Sequence, residues 1–520
     1  MSDNLAAILL RHAAIQPDAL AARADGQSLT YGELAFASSR LAALLHARGV
    51  ERLAILGSRS LGAFVGVLGA FWAQVTYVPL SLKAPPERLA DMLRQAGCDA
   101  ILIDQHGAGL LDDILMQAAP ALVIAADAPA SAALARRDCA FHALLTMTAE
   151  PIAPVQAYPA RPAYIIFTSG TTGSPKGVVV SAGAAIGLIE ALRERCGIRP
   201  DDKVAETADL SFDLSVGNMV MAWDAGASLH AVKPMEMLAP ARFIRANAIT
   251  VWCSVPSVIS RMQRAGALHA GIFPLLRYCV FVGEPLPVSA AEAWQLAAPN
   301  SIIDNLYGPT EGCVYYLGHR YTGDPQVTPE TGTVCIGLPF PGLDATIVDD
   351  ACRMLPPNAR GELALSGRQL ADGYLDRPEL TTERFRLIDG RRWYLTGDAA
   401  YRDDESRFHH LGRVDNQIKV LGYRVELEEV ESHLRDLCAG AAVAVVGWPR
   451  LGGAIEGLVG FAVAGPAIIA AAGASLSARL PAYMVPSVIH AIADMPLNGN
   501  GKLDRAALVR LLDSGWPAQA

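Results

Sequence analysis

Residues 167–177 read FTSGTTGSPKG, a run in which glycines and small hydroxyl residues precede a single lysine, Lys176. Glycine lets a backbone approach phosphate oxygens closely and take positive φ. Hydroxyls and exposed N–H groups can donate to those oxygens, and Lys176 adds a charge. The run is not a Walker loop, which needs a glycine directly before its lysine; Pro175 stands there instead. A flexible solvent loop could share this composition, but the ordered spacing directly after an apolar strand favours phosphate binding.

The elements that must hold this loop come from an alternating pattern. From Leu29 to about Thr310, short β-rich runs (AILGS at 54–58, AYIIFTSG at 163–170, ITVWCSVPS at 249–257, YCVFVGE at 278–284) alternate with alanine-rich segments such as Ala182–Arg195 and Ala290–Ala298. That alternation predicts an α/β fold with largely parallel sheets. From about 331 to 414 the strands shorten and turns multiply, which predicts a β subdomain. The remaining hundred or so residues predict a small α+β domain: strands in AAVAVVG and GLVGFAVA, a helix near Ala470, and a closing helix after Lys502. The strongly apolar run Leu61–Ala73 is too short for the roughly 20 residues of a membrane span, so it reads as a buried helix leading into a core strand.

With 520 residues, the chain is too long for a single core. A net charge of -9 argues against nucleic acid as the main partner. Nine scattered cysteines without a CxxC pair indicate neither a zinc knuckle nor a disulfide framework. The N-terminus is no secretory signal, and a reducing cytoplasm away from membranes is the expected setting.

The loop resembles the signature of the adenylate-forming superfamily: acyl-CoA synthetases, luciferases and the adenylation domains of nonribosomal peptide synthetases. The resemblance runs nearly the whole chain, in the family's order. It includes LTYGEL (29–34), YVPL (77–80), NLYGPTE (305–311), GELALSGRQLADGYL (361–375), YLTGD (394–398), GRVDNQIKVLGYRVELEEVE (412–431), LPAYMVP (480–486) and NGNGKLDR (498–505). It implies a large N-terminal domain, 1–414, and a small mobile C-terminal domain, 415–520, with the hinge near Asp415. It also implies ATP and Mg²⁺. Thr168, Ser169, Gly170, Thr171, Thr172 and Lys176 would take the phosphates and Glu311 the metal. Tyr307 would lie against adenine, and Asp398, assisted by Arg413, would hold the ribose. Gly283, Glu284, Asn305, Gly308 and Thr310 complete the implied ATP site. Lys502 would be the catalytic lysine of adenylation, Lys419 would serve the second geometry, and Gly422 would line a thiol tunnel. Leu395 and Leu421 stand where the family commonly carries a basic residue, which puts auxiliary contacts in doubt.

The FDLS segment, Phe212–Ser215, resembles the amino-acid-activating branch, in which the aspartate meets the substrate's ammonium group. A carboxylate in an apolar cleft is costly unless a cation meets it, so Asp213 would select amino acids over plain acids. An ordinary helix cap is the alternative role for that residue. The implied pocket is Asp213, Leu214, Gly217, Cys253, Val280, Val282, Leu306, Val314 and Tyr315, beside Phe212. Its apolar wall suits a small side chain: alanine foremost, with glycine, serine or proline possible. Stand-alone D-alanine carrier-protein ligases are also similar here, although Val282 replaces their cysteine. The chain ends soon after the closing motif, so the expectation is an enzyme acting alone and delivering its aminoacyl group in trans to a carrier protein's phosphopantetheine thiol. An acyl- or aryl-CoA synthetase, or transfer to an amine on a carrier-bound acyl chain, is the alternative.

Overall fold

The structure, a computed structural model, describes residues 4–126, 140–143, 149–170, 174–323, 326–451, 454–497 and 503–516. The chain divides into two units. The larger comprises Met1–Leu82, Ala90–Phe167 and Gly177–Gly412; the smaller gathers Arg413–Ala520 with two excursions, Lys83–Leu89 and Thr168–Lys176. The described residues of this second excursion, 168–170 and 174–176, therefore pack with the C-terminal residues. Among the described residues no helix is long and apolar enough to cross a membrane.

Two large sheets organise the first unit, as the strand–helix alternation predicts. One holds nine strands, with the parallel core Tyr278–Phe281, Val251–Ser254, Lys203–Glu206 and Ser228–Ala231 between antiparallel edges. The other holds eight, with Arg52–Leu56 and Thr76–Leu80 at its centre. Pro79 has no N–H to offer, and the pairing of Thr76–Leu80 with Pro162–Thr168 is limited to Tyr77 opposite Tyr164. Leu61–Ala73 is a helix, buried at every position but its first, and it leads into the buried strand Thr76–Leu80. Its Gly69 faces the helix Tyr31–Ala47: a Cβ there would lie 2.7 Å from Leu41 Cδ2, so only glycine allows this approach. The LTYGEL motif starts that second helix with a capping box, in which Thr30 Oγ1 accepts from Glu33 N and Thr30 N donates in turn to Glu33 Oε2.

The expected β subdomain is an antiparallel sheet of Leu343–Val348, Gly361–Gly367, Arg391–Arg402 and Phe385–Ile388, with Phe408–Arg413 paired to the long strand. Glu362 pairs with Ala399 but Ala364 with Leu395, so the long strand carries two extra residues at the TGD of YLTGD. Gly397 takes the positive φ of 73° this requires, and Thr396 Oγ1 pins the bulge by donating to Leu363 O at 2.7 Å.

In the second unit Val443–Gly447, Leu458–Ala462 and Val488–Ala491 form one sheet beside the helices Leu427–Leu437, Pro466–Leu476 and Arg505–Asp513. The KVLGYR segment is a two-residue hairpin: Val420 pairs with Tyr423, and Leu421 and Gly422 both take positive φ, 51° and 85°.

Candidate active site

The bulge at Gly397 re-aims Asp398 in the first unit. Its carboxylate accepts a hydrogen bond from the Tyr307 hydroxyl, and its Oδ1 lies 3.2 Å from His410 Nε2. Tyr307 closes the buried strand Ile302–Tyr307. A Cβ on the next residue, Gly308, would lie 2.4 Å from Val314 O, so the chain can fold back on itself only with glycine there. The returning turn carries Cys313 and Val314 at φ 59° and 72°. A β-branched residue in the left-handed region is strained, and strain of this kind persists only where surrounding contacts hold it. Here Tyr316 N donates to Tyr307 O at 2.7 Å and Gln369 Nε2 to Tyr315 O at 3.0 Å.

Glu311 lies in the same fold-back, within the turn Thr310–Gly312, and is fully buried. Tyr374 Oη donates to its Oε1 at 2.7 Å, and Ala371 N donates to its backbone carbonyl at 2.8 Å. Asn305 is buried, and its amide donates to the carbonyls of Val334 and Cys335. That tie fixes the neighbouring chain, so the side-chain donors of Asn305 are spent on protein. Glu284, beside Gly283 at φ 88°, accepts from Ser257 N at 2.9 Å at the start of the helix Ser257–Arg264.

The substrate residues named from the sequence also gather in the first unit. Asp213 is the first residue of the helix Asp213–Ala225, whose capping position, Phe212, makes no side-chain cap. Leu214, Gly217, Cys253, Val280, Val282, Leu306, Val314 and Tyr315 are all buried. The negative charge of Asp213 helps to raise the hydroxyls of Tyr77, Tyr164 and Tyr315 and the thiol of Cys313, with burial the larger cause in each. The charge of the half-buried Asp213 thus acts on a set of buried hydroxyls and one buried thiol. The space that Gly217 would leave is taken: a Cβ there would lie 2.8 Å from Tyr315 Cε2.

The phosphate-loop residues belong to the second unit. Lys176 Nζ lies 3.2 Å from Glu426 Oε1, and both side chains are nearly buried. Gly170 N donates to Glu429 Oε2 at 3.0 Å, and Arg88 holds the other oxygen of that carboxylate. Ser169 Oγ donates to Arg424 O, and Thr168 ends its strand with its hydroxyl 3.5 Å from Lys176 O. Lys419 lies in the hairpin strand Gln417–Val420, opposite Arg424. Arg413 donates through two nitrogens to Asp415 at 2.8 and 2.6 Å. Thr171, Thr172 and Lys502 lie outside the described residues. The frame on either side of Lys502 is described: Leu497 bridges Leu503, Asp504 caps the closing helix, and Arg505 pairs with the buried Glu431.

Sequence reasoning missed several members. Tyr374 sat inside a quoted motif without being assigned to Glu311, and His410, beside Asp398, lies between two quoted motifs. Glu426 and Glu429 were quoted within the GRVDN segment as motif only. Glu206 was not singled out, because in the strand Lys203–Glu206 it is one of two charged residues and nothing local marks it as buried.

The model of the family described as AMP-binding enzyme matches residues 9–375. Phosphinothricin tripeptide synthetase PhsC of Streptomyces viridochromogenes is 35% identical, over 95% of this chain and 44% of its own length. The chain spans less than half the length of the curated relatives it matches. Among solved structures, the Vibrio cholerae adenylation domain AlmE, in complex with glycyl-adenosine-5'-phosphate, is 30% identical with a TM-score of 0.89, covering 99% of this chain and 98% of that one. IdnL7 is 32% identical with a TM-score of 0.73, covering 99% and 100%. A family match over more than half the chain, with full-length relatives of this identity, means that the chain belongs to the AMP-binding enzyme family.

Proposed function

We propose that this protein uses ATP to convert a small amino acid, alanine or glycine foremost, to its aminoacyl-adenylate with release of pyrophosphate. It then passes the aminoacyl group to the phosphopantetheine thiol of a carrier protein. The observation that carries the substrate class is Asp213 at the head of its helix, its charge acting on the buried hydroxyls of Tyr77, Tyr164 and Tyr315, with the Tyr315 ring filling the space over Gly217. An ammonium group meets its counter-charge at Asp213, while a large side chain meets the ring. AlmE, similar along its whole length, binds a glycyl adenylate, which supports the same size class.

In this reaction a substrate carboxylate oxygen attacks the α-phosphorus in line, and the bond to pyrophosphate breaks. Catalysis is positioning and charge neutralisation. Asp398 holds the ribose hydroxyls and Tyr307 lies against the base, while Lys176 and Gly170 N exchange their present partners, Glu426 and Glu429, for the phosphates. Lys502 stabilises the charge that develops on the reacting oxygens. Glu311 is the residue that would hold Mg²⁺. A single buried carboxylate suits that ion, which takes its other ligands from phosphate and water. Among the described residues no cluster of three or more His, Cys, Asp or Glu offers an all-protein cage. When bound, the ion neutralises phosphate charge.

The test is amino-acid-dependent exchange of labelled pyrophosphate into ATP across the standard amino acids and D-alanine. Exchange is expected with alanine or glycine above all larger residues. Lys502→Ala is expected to lose at least about a hundredfold, the scale of a lost transition-state contact. Absence of exchange with every amino acid, or a CoA thioester formed from a plain acid, would overturn the proposal. Mass analysis of carrier proteins incubated with the enzyme, ATP and the preferred amino acid tests the acceptor.

A further inference from the structure

Glu206 Oε2, Asn218 Oδ1, Tyr77 Oη and Tyr315 Oη are among the buried polar atoms of the first unit that have no hydrogen-bond partner among the described residues. The topology places the first of them. The strands Lys203–Glu206 and Val251–Ser254 run parallel with Val204 opposite Val251, so two residues further along Glu206 stands beside Cys253. Cys253 in turn is opposite Val280. Glu206, Cys253 and Val280 thus form one row across the sheet with side chains on the same face, the face that carries the substrate wall.

The helix Asp213–Ala225 covers that row. Asn218 Nδ2 donates to Glu206 Oε1 at 2.9 Å, and Ala208 N donates to the same oxygen at 2.9 Å. The residue before Asn218 is Gly217, against which the Tyr315 ring packs. The charges of Glu206 and Asp213 both help to raise the hydroxyls of Tyr77 and Tyr315. The nearby cation, Arg59, is committed elsewhere: it donates to Thr207 O at 2.8 Å and to Asp209 at 3.2 Å.

Buried polar atoms are nearly always satisfied, by protein, ordered water or ligand. The unpaired atoms of Glu206, Asn218 and Tyr315 are drawn together by that bond and that packing beside a wall that is otherwise apolar, and atoms so grouped call for something to bond to. Burial pushes the Glu206 carboxyl up to about 8, against the opposing pull of Asn218, Ala208 and Arg59. The acid therefore keeps its proton at neutral pH. Its Oε1 already accepts twice, which leaves Oε2 to carry the proton and to donate it.

We infer that Glu206, with Asn218, Tyr77 and Tyr315, forms a polar subsite at the side-chain end of the amino-acid pocket, one that takes a small hydroxyl group and rejects a methyl of the same size. The hydroxyl is either that of the substrate side chain or a water retained beneath a shorter one. Glu206 is then a specificity-determining residue for the adenylation reaction. This rests on the proposed activation of small amino acids and adds what the far end of the pocket recognises. A site built to hydrogen-bond a hydroxyl disfavours the isosteric methyl far more than an apolar pocket disfavours one methylene, because the methyl leaves buried polar atoms unpaired.

The experiment compares kcat/KM in pyrophosphate exchange for glycine, alanine, serine and 2-aminobutyrate, the last being serine with a methyl in place of its hydroxyl. For the unaltered protein, serine or alanine is expected to exceed 2-aminobutyrate by tenfold or more. Serine above alanine identifies the substrate hydroxyl as the occupant; alanine above serine, with 2-aminobutyrate still rejected, identifies retained water. Glu206→Leu is expected to raise 2-aminobutyrate relative to serine at least tenfold. Glu206→Gln, which restores a neutral donor and the acceptor of the Asn218 bond, is expected to keep the original preference. Tyr315→Phe removes one hydroxyl without altering the ring and is expected to shift the ratio in the same direction as Glu206→Leu, so the inference stands testable if the leucine variant does not fold. A protein that exchanges pyrophosphate as well with 2-aminobutyrate as with serine, or a ratio unmoved in both Glu206→Leu and Tyr315→Phe, overturns the subsite while leaving small-amino-acid activation intact. No exchange with any of the four amino acids overturns that activation itself.

Discussion

The Tyr307 hydroxyl and the His410 ring both turn to Asp398, and each fixes one of its oxygens. A carboxylate that accepts two ribose hydroxyls must present its lone pairs in a set direction, and such orientation comes from neighbours that hold the first contact in place. In the proposed reaction Tyr307 would have two tasks, a face for the base beside its donor bond to the carboxylate. The two can be separated. Asp398→Ala is expected to raise the KM for ATP tenfold or more while leaving the KM for the amino acid within about twofold, since a lost charge-assisted bond is worth roughly 1.5–3 kcal/mol. Tyr307→Phe keeps the ring and is expected to raise the KM for ATP by about three- to tenfold, near the value of one neutral hydrogen bond. Initial-rate pyrophosphate exchange at varied ATP measures both. An equal change in the two KM values in Asp398→Ala would place that residue outside the nucleotide site.

At the scale of elements, the motifs legible in the sequence are mostly backbone devices. LTYGEL is a capping box, with Thr30 and Glu33 three residues apart. KVLGYR is a two-residue hairpin turn, and YLTGD is a bulge around Gly397. Each lies within a few residues of chain, so local sequence specifies it. The helix Leu61–Ala73 was legible for the same reason: its apolar run and the αL residue Gln74 that ends it are local features. Element ends were less so. The apolar run at 163–170 predicted a strand to Gly170, but the strand stops at Thr168, where the chain leaves the sheet for the second unit. The polar set around Glu206 was illegible because Tyr77 and Glu206 lie on strands of different sheets, Asn218 on a helix and Tyr315 on a loop, far apart in the chain. The bulge gives a prediction at this scale. Gly390 and Gly397 have nearly the same positive φ, 74° and 73°, but Gly390 has open space where a Cβ would go and lies outside the site. Replacing either by alanine is expected to cost roughly 1–2 kcal/mol of stability through φ alone. Only Gly397→Ala is expected to raise the KM for ATP as well, because it shifts the backbone that aims Asp398. Urea unfolding of both variants, paired with their ATP saturation curves, checks it.

For the molecule as a whole, a buried acid in the sheet of the larger unit links stability to pH. Glu206 moves from an ordinary value of 4.5 to about 8 on folding, chiefly through loss of water around its charged form. Between those values the native protein holds a proton that the unfolded chain has released, so stability falls as pH rises through the interval and this group adds no further slope above it. His230 works in the opposite sense. Burial pushes its ring down to about 4, so the unfolded chain binds the extra proton and stability rises from pH 4 to its ordinary 6.5. The two overlap below pH 6.5 and partly cancel there. Above it only the Glu206 contribution remains of this pair, and from pH 6.5 to 8.5 it amounts to about 2 kcal/mol at roughly 1.4 kcal/mol per unit. Glu206→Gln keeps the shape and the Asn218 bond but has no proton to lose. Urea unfolding free energies at pH 6.5 and 8.5 are therefore expected to fall by about 2 kcal/mol less in Glu206→Gln than in the unaltered protein. If the two proteins lose the same stability across that range, Glu206 is already ionised in the native state, and the proton assigned to its Oε2 in the substrate wall is not there.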